Sequence, residues 1–187
     1  LTPPNSFPPH TPRGLGDNVA GLLMTIGVLN ALLIREKTGK GQEVGVSLYQ
    51  SGVFTNAVDI AGSLLTGQDR KMVDRKDIAN QLANYFETKD GRWLRLSVLV
   101  PDPYWGKFCA AIERPDLVND PRFATPALRV KNDAELDPII TAWTKARTKH
   151  EAMALVGGAG IPAGAVLDTM ELQNDASFEQ RGIMQVM

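Results

Sequence analysis

The protein has 187 residues, with 20 Lys+Arg against 21 Asp+Glu and a formal net charge of −1. This balance argues against nucleic acid as the main ligand, because neutralising phosphates requires an excess of basic residues. The chain is 43% hydrophobic and 22% charged, which excludes a disordered chain and allows one domain or slightly more. Its single cysteine excludes an internal disulfide framework, so we expect a reducing, cytoplasmic location.

The chain opens with a proline-rich segment, residues 1–13. Because proline disfavours regular helix, this segment predicts an extended connection that arrives from elsewhere. It has neither the basic nor the apolar region of a signal peptide and is not typical of a native N-terminus.

An apolar run over 19–34 predicts the first helix, with Asp17 as its N-cap and glycines within 37–41 as its stop. The run is apolar nearly all round, so we expect a core helix covered on more than one side. It is shorter than the roughly 20 residues that span a bilayer. Alternation through Val44, Val46 and Leu48 predicts a strand, and helical spacing over 51–65 predicts a second helix. The first segment, 1–67, therefore predicts helix, strand, helix in part of a layered α/β domain.

Residues 68–80 are dense in charge and predict a linker to a second, small α+β domain over 81–168. A Lys-Asp-Gly turn at 89–91 predicts a hairpin, and Asp102 followed by Pro103 predicts a helix start. The residues predicted to face inward are Leu94, Leu96, Val98 and Val100 on a strand and Trp105, Phe108 and Ile112 on a helix. The later elements are predicted to be a helix from Asn132 or Asp133, a helix that starts with a capping box from Thr148 to Glu151, a strand over 165–167 and a helix from Thr169.

Few residues are candidates for chemistry. His10 lies in the proline-rich segment and His150 in the predicted capping box, so both favour surface roles. No metal-ligand spacing occurs, and Cys109 lies among apolar residues as a buried side chain would. Asp17 is the most informative residue, since it follows two glycines at the start of the apolar helix. The pattern alone allows either a structural N-cap or a nucleophile or acid–base group in a cleft.

An ordered series of blocks resembles the family III CoA-transferases, also called the CaiB/BaiF family, which includes formyl-CoA transferase. The blocks cover residues 16–21, 27–35, 37–47, 89–91, 114–117, 120–123, 129–132, 160–166 and 181–182. The resemblance implies that Asp17 is the nucleophile of an acyl-CoA:carboxylate CoA-transferase, acting through an aspartyl mixed anhydride and an aspartyl-CoA thioester. Coenzyme A and its thioesters are then substrates, with no bound cofactor and no metal.

The resemblance also implies an architecture and a set of site residues. Family members have a Rossmann-like large domain followed by a small α+β domain, form interlocked homodimers, and begin with a nucleotide-binding half that would lie upstream of Leu1. Residues 169–187 would return toward the large domain. Gly16 and Asn18, which flank Asp17, are predicted substrate contacts. Leu48 and Tyr49 follow the predicted strand, and their position allows either a pocket wall or core packing.

Two alternatives to the transferase function remain, and the sequence differs from the family pattern at one segment. The same family contains acyl-CoA racemases, in which the matching aspartate is an acid–base residue paired with an upstream histidine. A catalytically silent, dimerising fragment is the other alternative. Formyl-CoA-transferase-like members often carry a glycine-rich flap before the strand of the small domain, whereas residues 78–85 of this chain contain no glycine.

Overall fold

The computed structural model describes residues 12–70, 75, 78 and 80–182, and the backbone alone at 178 and 179. The chain divides into two compact units between positions 72 and 73. The proline-rich segment up to residue 11 and much of the predicted linker, residues 71–74, 76, 77 and 79, lie outside the described residues. Residues 183–187 of the predicted return segment lie outside them as well.

The first unit begins with the long helix α1, Leu15–Thr38. Gly14 precedes it with a φ of 75°, and Gly39 ends it with a φ of 71° while its amide donates to the Arg35 carbonyl over 2.8 Å. Glycine takes this left-handed conformation without steric cost, so the helix begins directly after Gly14. The prediction that Asp17 is the N-cap is therefore wrong: Asp17 is the third residue of the helix.

Only one side of α1 is packed within the described residues. Helix α1 has no buried residue, and the exposed fractions of Leu22, Ile26, Leu29 and Leu33 are 66%, 55%, 56% and 62%. The expected cover on more than one side is thus not found in this part of the chain. The helix has 24 residues, and by length and composition it could cross a membrane, a property shared with core helices of globular proteins.

Two further helices complete the described part of the first unit. They are α2, Leu48–Thr55, and α3, Ala57–Thr66, separated by Asn56, where one helix was predicted over 51–65. The predicted strand through Val44, Val46 and Leu48 is absent: residues 40–47 form no ladder, and Leu48 begins α2. A strand requires a hydrogen-bonded neighbour, and residues 12–70 supply none.

The second unit contains an antiparallel sheet of three strands in the order β1-β2-β3. The strands are β1, Tyr85–Glu87, β2, Trp93–Leu96, and β3, Ala163–Ala165. Phe86 pairs with Leu94, which pairs with Ala165 on the other side. The hairpin predicted at 89–91 is confirmed, whereas β3 begins two residues before the predicted strand.

Helices make up most of the rest of the described part of the second unit. They are α4, Asp102–Ala111, α5, Pro126–Lys131, α6, Asp133–Lys145, α7, Lys149–Gly158, α8, Thr169–Gln173, and α9, Ala176–Gln180, with short 3₁₀ turns at Gln81–Ala83 and Pro115–Val118.

The core of the second unit follows the predicted patterns closely. Trp105, Phe108 and Ile112 are buried, and so are Leu94, Leu96 and Val98, whereas the predicted inward-facing Val100 is 66% exposed. The Thr148 amide donates to the Glu151 carboxylate over 2.8 Å, which confirms the predicted capping box. The buried apolar residues at this core are Leu82, Phe86, Leu94, Leu96, Val98, Trp105, Phe108, Cys109, Ile112, Leu117, Phe123, Leu136, Ile140, Trp143, Ala152, Val156 and Ile161.

Candidate active site

Asp17 presents an exposed carboxylate in the first turn of α1. The first amides of a helix have no acceptor within the helix, and the aligned peptide dipoles place partial positive charge there. The backbone at this end of α1 is therefore electropositive, and the Asp17 side chain is accessible there on a rigid element.

The beginning of α2 lies beside the beginning of α1. A Cβ built on Gly16 would lie 3.9 Å from Cδ2 of Leu48, the first residue of α2. Ser47 fixes this second helix start, because its hydroxyl accepts from the Gln50 amide over 3.1 Å while its own amide donates to the Gln50 side chain over 3.1 Å. Two helix N-termini, both with partial positive charge, thus lie next to the turn that carries Asp17.

The other predicted site residues are distributed unequally around Asp17. Asn18 shares the first turn, and its amide donates to the Gly14 carbonyl over 2.8 Å. Leu48 is brought to Gly16, whereas the side chain of Tyr49 is 83% exposed. The structure therefore groups Gly16, Asn18 and Leu48 near Asp17 and leaves Tyr49 projecting into solvent.

Gly21 lies inside α1, four residues after Asp17 and on the same face of the helix. A Cβ at Gly21 would meet no described atom within 4 Å. An exposed glycine inside a helix costs about 1 kcal/mol relative to alanine.

The segment that precedes β1 is held by side-chain amides. The Asn80 side chain accepts from the Leu82 amide over 3.0 Å, and the Asn84 amide group donates to the Gln81 side chain over 2.9 Å. Gln81 and Asn84 are 3% and 0% exposed. The segment before β1 thus contains buried, hydrogen-bonded side-chain amides.

The ionisable groups that are most strongly perturbed lie in the second unit. Lys149 is 1% exposed and donates to the Val166 carbonyl over 3.0 Å and to Glu171 over 2.6 Å. The hydrogen bond from Lys149 lowers the pKa of the Glu171 carboxyl to about 2, and burial raises the pKa of the Cys109 thiol to about 12. Lys149 and Glu171 thus link α7 to α8, and Cys109 is an unreactive buried thiol. His150 lies exposed on α7, as predicted.

No cluster of three metal-ligating side chains occurs within residues 12–70, 75, 78 and 80–182. Several of the described charged groups are joined in ion pairs, such as Arg114 with Asp116 at 2.6 Å. Asp17 stays the candidate centre of chemistry that the sequence indicated.

We compared the chain with models of known protein families. The model of CoA-transferase family III matches residues 2–187. The chain belongs to this family, which confirms the resemblance that the sequence blocks indicated.

Curated relatives carry CoA-transferase names. The chain is 30% identical to succinyl-CoA–D-citramalate CoA-transferase of Chloroflexus aurantiacus over 94% of this chain and 44% of that protein. It is 29% identical to (R)-2-hydroxy-4-methylpentanoate CoA-transferase of Clostridioides difficile over 90% of this chain and 42% of that protein. The chain thus spans less than half the length of these relatives.

Solved structures are likewise similar over nearly all of this chain and about half of their own length. Rv3272 of Mycobacterium tuberculosis is 29% identical, with a TM-score of 0.78 over 97% of this chain and 47% of that protein. A CaiB/BaiF family protein from Brucella suis is 25% identical, with a TM-score of 0.78 over 97% of this chain and 48% of that protein. The helices and small sheet described above therefore have the family III CoA-transferase fold over about half of its length.

Proposed function

We propose that this chain carries the nucleophile of an acyl-CoA:carboxylate CoA-transferase and that Asp17 is that nucleophile. The observation that carries the proposal is the exposed Asp17 carboxylate in the first turn of α1, beside the start of α2, in a chain of this family. The name succinyl-CoA–D-citramalate CoA-transferase pairs an acyl-CoA with a carboxylic acid and supports the same reaction class, and the second relative is also named a CoA-transferase.

In the first half of the reaction, a carboxylate oxygen of Asp17 attacks the thioester carbonyl of the acyl-CoA donor. The carbon–sulfur bond breaks, CoA thiolate leaves, and a mixed anhydride joins Asp17 to the acyl group. The thiolate then attacks the Asp17 carbonyl of the anhydride and releases the donor as its free carboxylate. Asp17 is now a thioester of CoA, so the energy of the thioester bond is conserved.

The second half repeats these steps with the acceptor acid. The acceptor carboxylate attacks the aspartyl thioester, displaces CoA thiolate and forms a second mixed anhydride. The thiolate attacks the acceptor carbonyl, which yields the new acyl-CoA and restores the Asp17 carboxylate. No net proton transfer is required, which suits a site in which Asp17 is the central ionisable group.

The surroundings of Asp17 are proposed to stabilise negative charge and to shape the pocket. Each attack places charge on a carbonyl oxygen, and the amides of the first turn near Gly16 and Asn18 are suited to stabilise it. Leu48 and Tyr49 are proposed to form a wall of the pocket, which the approach of Leu48 to Gly16 and the exposure of Tyr49 support.

The test is isotope exchange in the full-length protein. A CoA-transferase exchanges label between a carboxylic acid and its own CoA ester, because the acid serves as both donor and acceptor. We expect exchange with ping-pong kinetics in the native protein and at least a 1,000-fold loss of rate, about 4 kcal/mol, in the Asp17→Ala variant. Exchange that survives this substitution would exclude Asp17 as the nucleophile.

Two further measurements, deuterium incorporation and CoA binding, separate the alternatives. A racemase would incorporate deuterium from solvent at the carbon next to the thioester carbonyl with no acceptor acid present. A silent, dimerising fragment would show neither reaction and no CoA binding. We propose the transferase because relatives at about 30% identity carry transferase names. The expected homodimer is testable by sizing the full-length protein.

A further inference from the structure

A small cavity of the second unit is lined in part by the buried side chain of Arg129. Its volume is about 220 Å³, room for about seven water molecules at roughly 30 Å³ each. The buried side chains of Leu82 and Leu136 line it, and so do Leu99 and Val130, which are 84% and 44% exposed. The cavity is therefore mainly apolar and reaches the protein surface at Leu99 and Val130.

Arg129 is the one charged residue among the described residues that line this cavity. Its side chain is 6% exposed. The guanidinium lies over the ring of Trp105, with Cζ 4.6 Å from the ring centroid, and this stacking holds its plane in place. A cavity with one buried cation and no anion in its lining favours an anionic ligand by charge complementarity.

The guanidinium of Arg129 has donors left for such a ligand. An arginine has five N–H donors. Nη1 donates to the Phe123 carbonyl over 2.9 Å, and Nη2 donates to the carboxylate of Asp102. The other three N–H donors have no acceptor within residues 12–70, 75, 78 and 80–182. Asp102 is not part of the cavity lining, and its side chain is 60% exposed, so its carboxylate does not fill the cavity.

The two neutral polar side chains of the lining already have partners. The Asn80 side chain accepts from the Leu82 amide over 3.0 Å, and the Gln81 side chain accepts from the Asn84 side chain over 2.9 Å. Polar recognition in the cavity therefore depends on Arg129. Its planar fork of donors matches the two oxygens of a carboxylate.

We infer that this cavity binds a small monocarboxylic acid with a short apolar tail. Arg129 binds the carboxylate, and the apolar side chains of the lining contact the tail. The volume is too small for a CoA thioester, so the ligand is a free acid. The inference does not rest on the proposed function, because the cavity lies in the second unit and binding requires no acyl-CoA.

The experiment titrates the full-length protein, labelled with nitrogen-15 at tryptophan, with isobutyrate and follows the indole N–H signal of Trp105 by NMR. The Trp105→Phe variant assigns this signal. The indole nitrogen is buried and has no hydrogen-bond partner in the part of the chain that the structure describes, and its ring lies against Arg129. We expect a saturable shift with isobutyrate. Isobutyramide has the same shape without the charge and should bind at least roughly 10-fold more weakly.

Two substitutions at the cavity and one matched control locate the binding. Val130→Phe fills the cavity from its exposed side and should weaken isobutyrate binding by roughly 10-fold or more at an unchanged Tm. Val118→Phe is the control, because Val118 is also partly exposed, at 37%, and does not line the cavity. Arg129→Lys keeps the charge and loses the fork, so it should weaken binding as well. Val130→Phe gives the answer even where the substitution of buried Arg129 prevents folding.

Four results would overturn the inference. The first three are the absence of a saturable shift with isobutyrate in the native protein, equal affinity for isobutyramide, and native affinity in the Val130→Phe variant. The fourth is binding that is lost in the Asp17→Ala variant and kept in Val130→Phe, which would assign the carboxylate to the candidate active site.

Discussion

Gly16 and Leu48 join the starts of two helices, since a Cβ on Gly16 would lie 3.9 Å from Cδ2 of Leu48. This distance is an ordinary van der Waals contact, so alanine fits at position 16 without displacing Leu48. The helical backbone at Gly16 also requires no left-handed conformation. The contact places α2 next to Asp17 and makes Gly16 a test of ligand approach that is separate from folding.

The Gly16→Ala variant should fold normally and lose activity. We expect its free energy of unfolding to stay within about 0.5 kcal/mol of the native value, as for most surface substitutions. The added methyl group stands beside the candidate nucleophile, so we expect kcat/KM for CoA transfer to fall by roughly 10-fold or more. Denaturant unfolding and the exchange assay measure the two quantities. Unchanged activity would show that substrate does not approach α1 at Gly16.

The Gly27→Ala variant should be less stable because the added Cβ overlaps with Val44. Overpacking of this kind costs about 1–3 kcal/mol, part of which is offset by the better helix propensity of alanine. The Gly62→Ala variant is the control, and it should gain up to about 1 kcal/mol. Equal stability of the two variants in denaturant unfolding would contradict the packing of Gly27 against Val44.

The ion pair of Lys149 with Glu171 should make stability depend on acidity. The hydrogen bond from Lys149 lowers the pKa of Glu171 in the folded protein to about 2, from an ordinary value of 4.5. A lowered carboxyl pKa contributes stability that is complete above about pH 4.5 and is lost as the pH falls toward 2. We expect Tm to decrease over this interval in the native protein.

The Glu171→Gln variant tests this assignment. It should lower Tm at neutral pH, because the buried ammonium of Lys149 loses its charged partner. Its Tm should change less than that of the native protein between pH 4.5 and 2. The Asp116→Asn variant, which breaks the exposed pair with Arg114, should resemble the native protein. Identical pH profiles of the native and Glu171→Gln proteins would exclude the proposed linkage.

Cys109 should be chemically inert in the folded protein. The residue is 0% exposed, and burial raises the pKa of its thiol to about 12, so little thiolate is present at neutral pH. We expect no reaction with a disulfide reagent under native conditions and full reaction in guanidinium chloride. The Cys109→Ala variant should keep CoA-transfer activity. Rapid native-state labelling that abolishes exchange would indicate an accessible, functional thiol.

Local signals predicted the second unit well. The capping box from Thr148 to Glu151 and the turn at 89–91 depend on residues close in sequence, and both formed as predicted. The alternation that buries Leu94, Leu96 and Val98 is likewise a property of a single strand. Such features are encoded within a few residues, so a sequence pattern is sufficient to identify them.

Two predictions in the first unit failed for different reasons. The alternation of Val44 and Val46 indicated a strand, but strand pairing requires a neighbour that residues 12–70 do not supply. The start of α1 was misplaced because the conformation of Gly14, and not the side chain of Asp17, fixes it. The family blocks identified Asp17, whereas the approach of Leu48 to Gly16 required coordinates.

The most direct test of the account is to trap the acyl intermediate on the full-length protein with hydroxylamine during turnover with an acyl-CoA. Hydroxylamine cleaves anhydrides and thioesters and converts the aspartyl side chain to a hydroxamate, which mass spectrometry of the digested protein locates. The account predicts that this modification occurs at Asp17 and requires acyl-CoA. A protein that transfers CoA while Asp17 stays unmodified would contradict it.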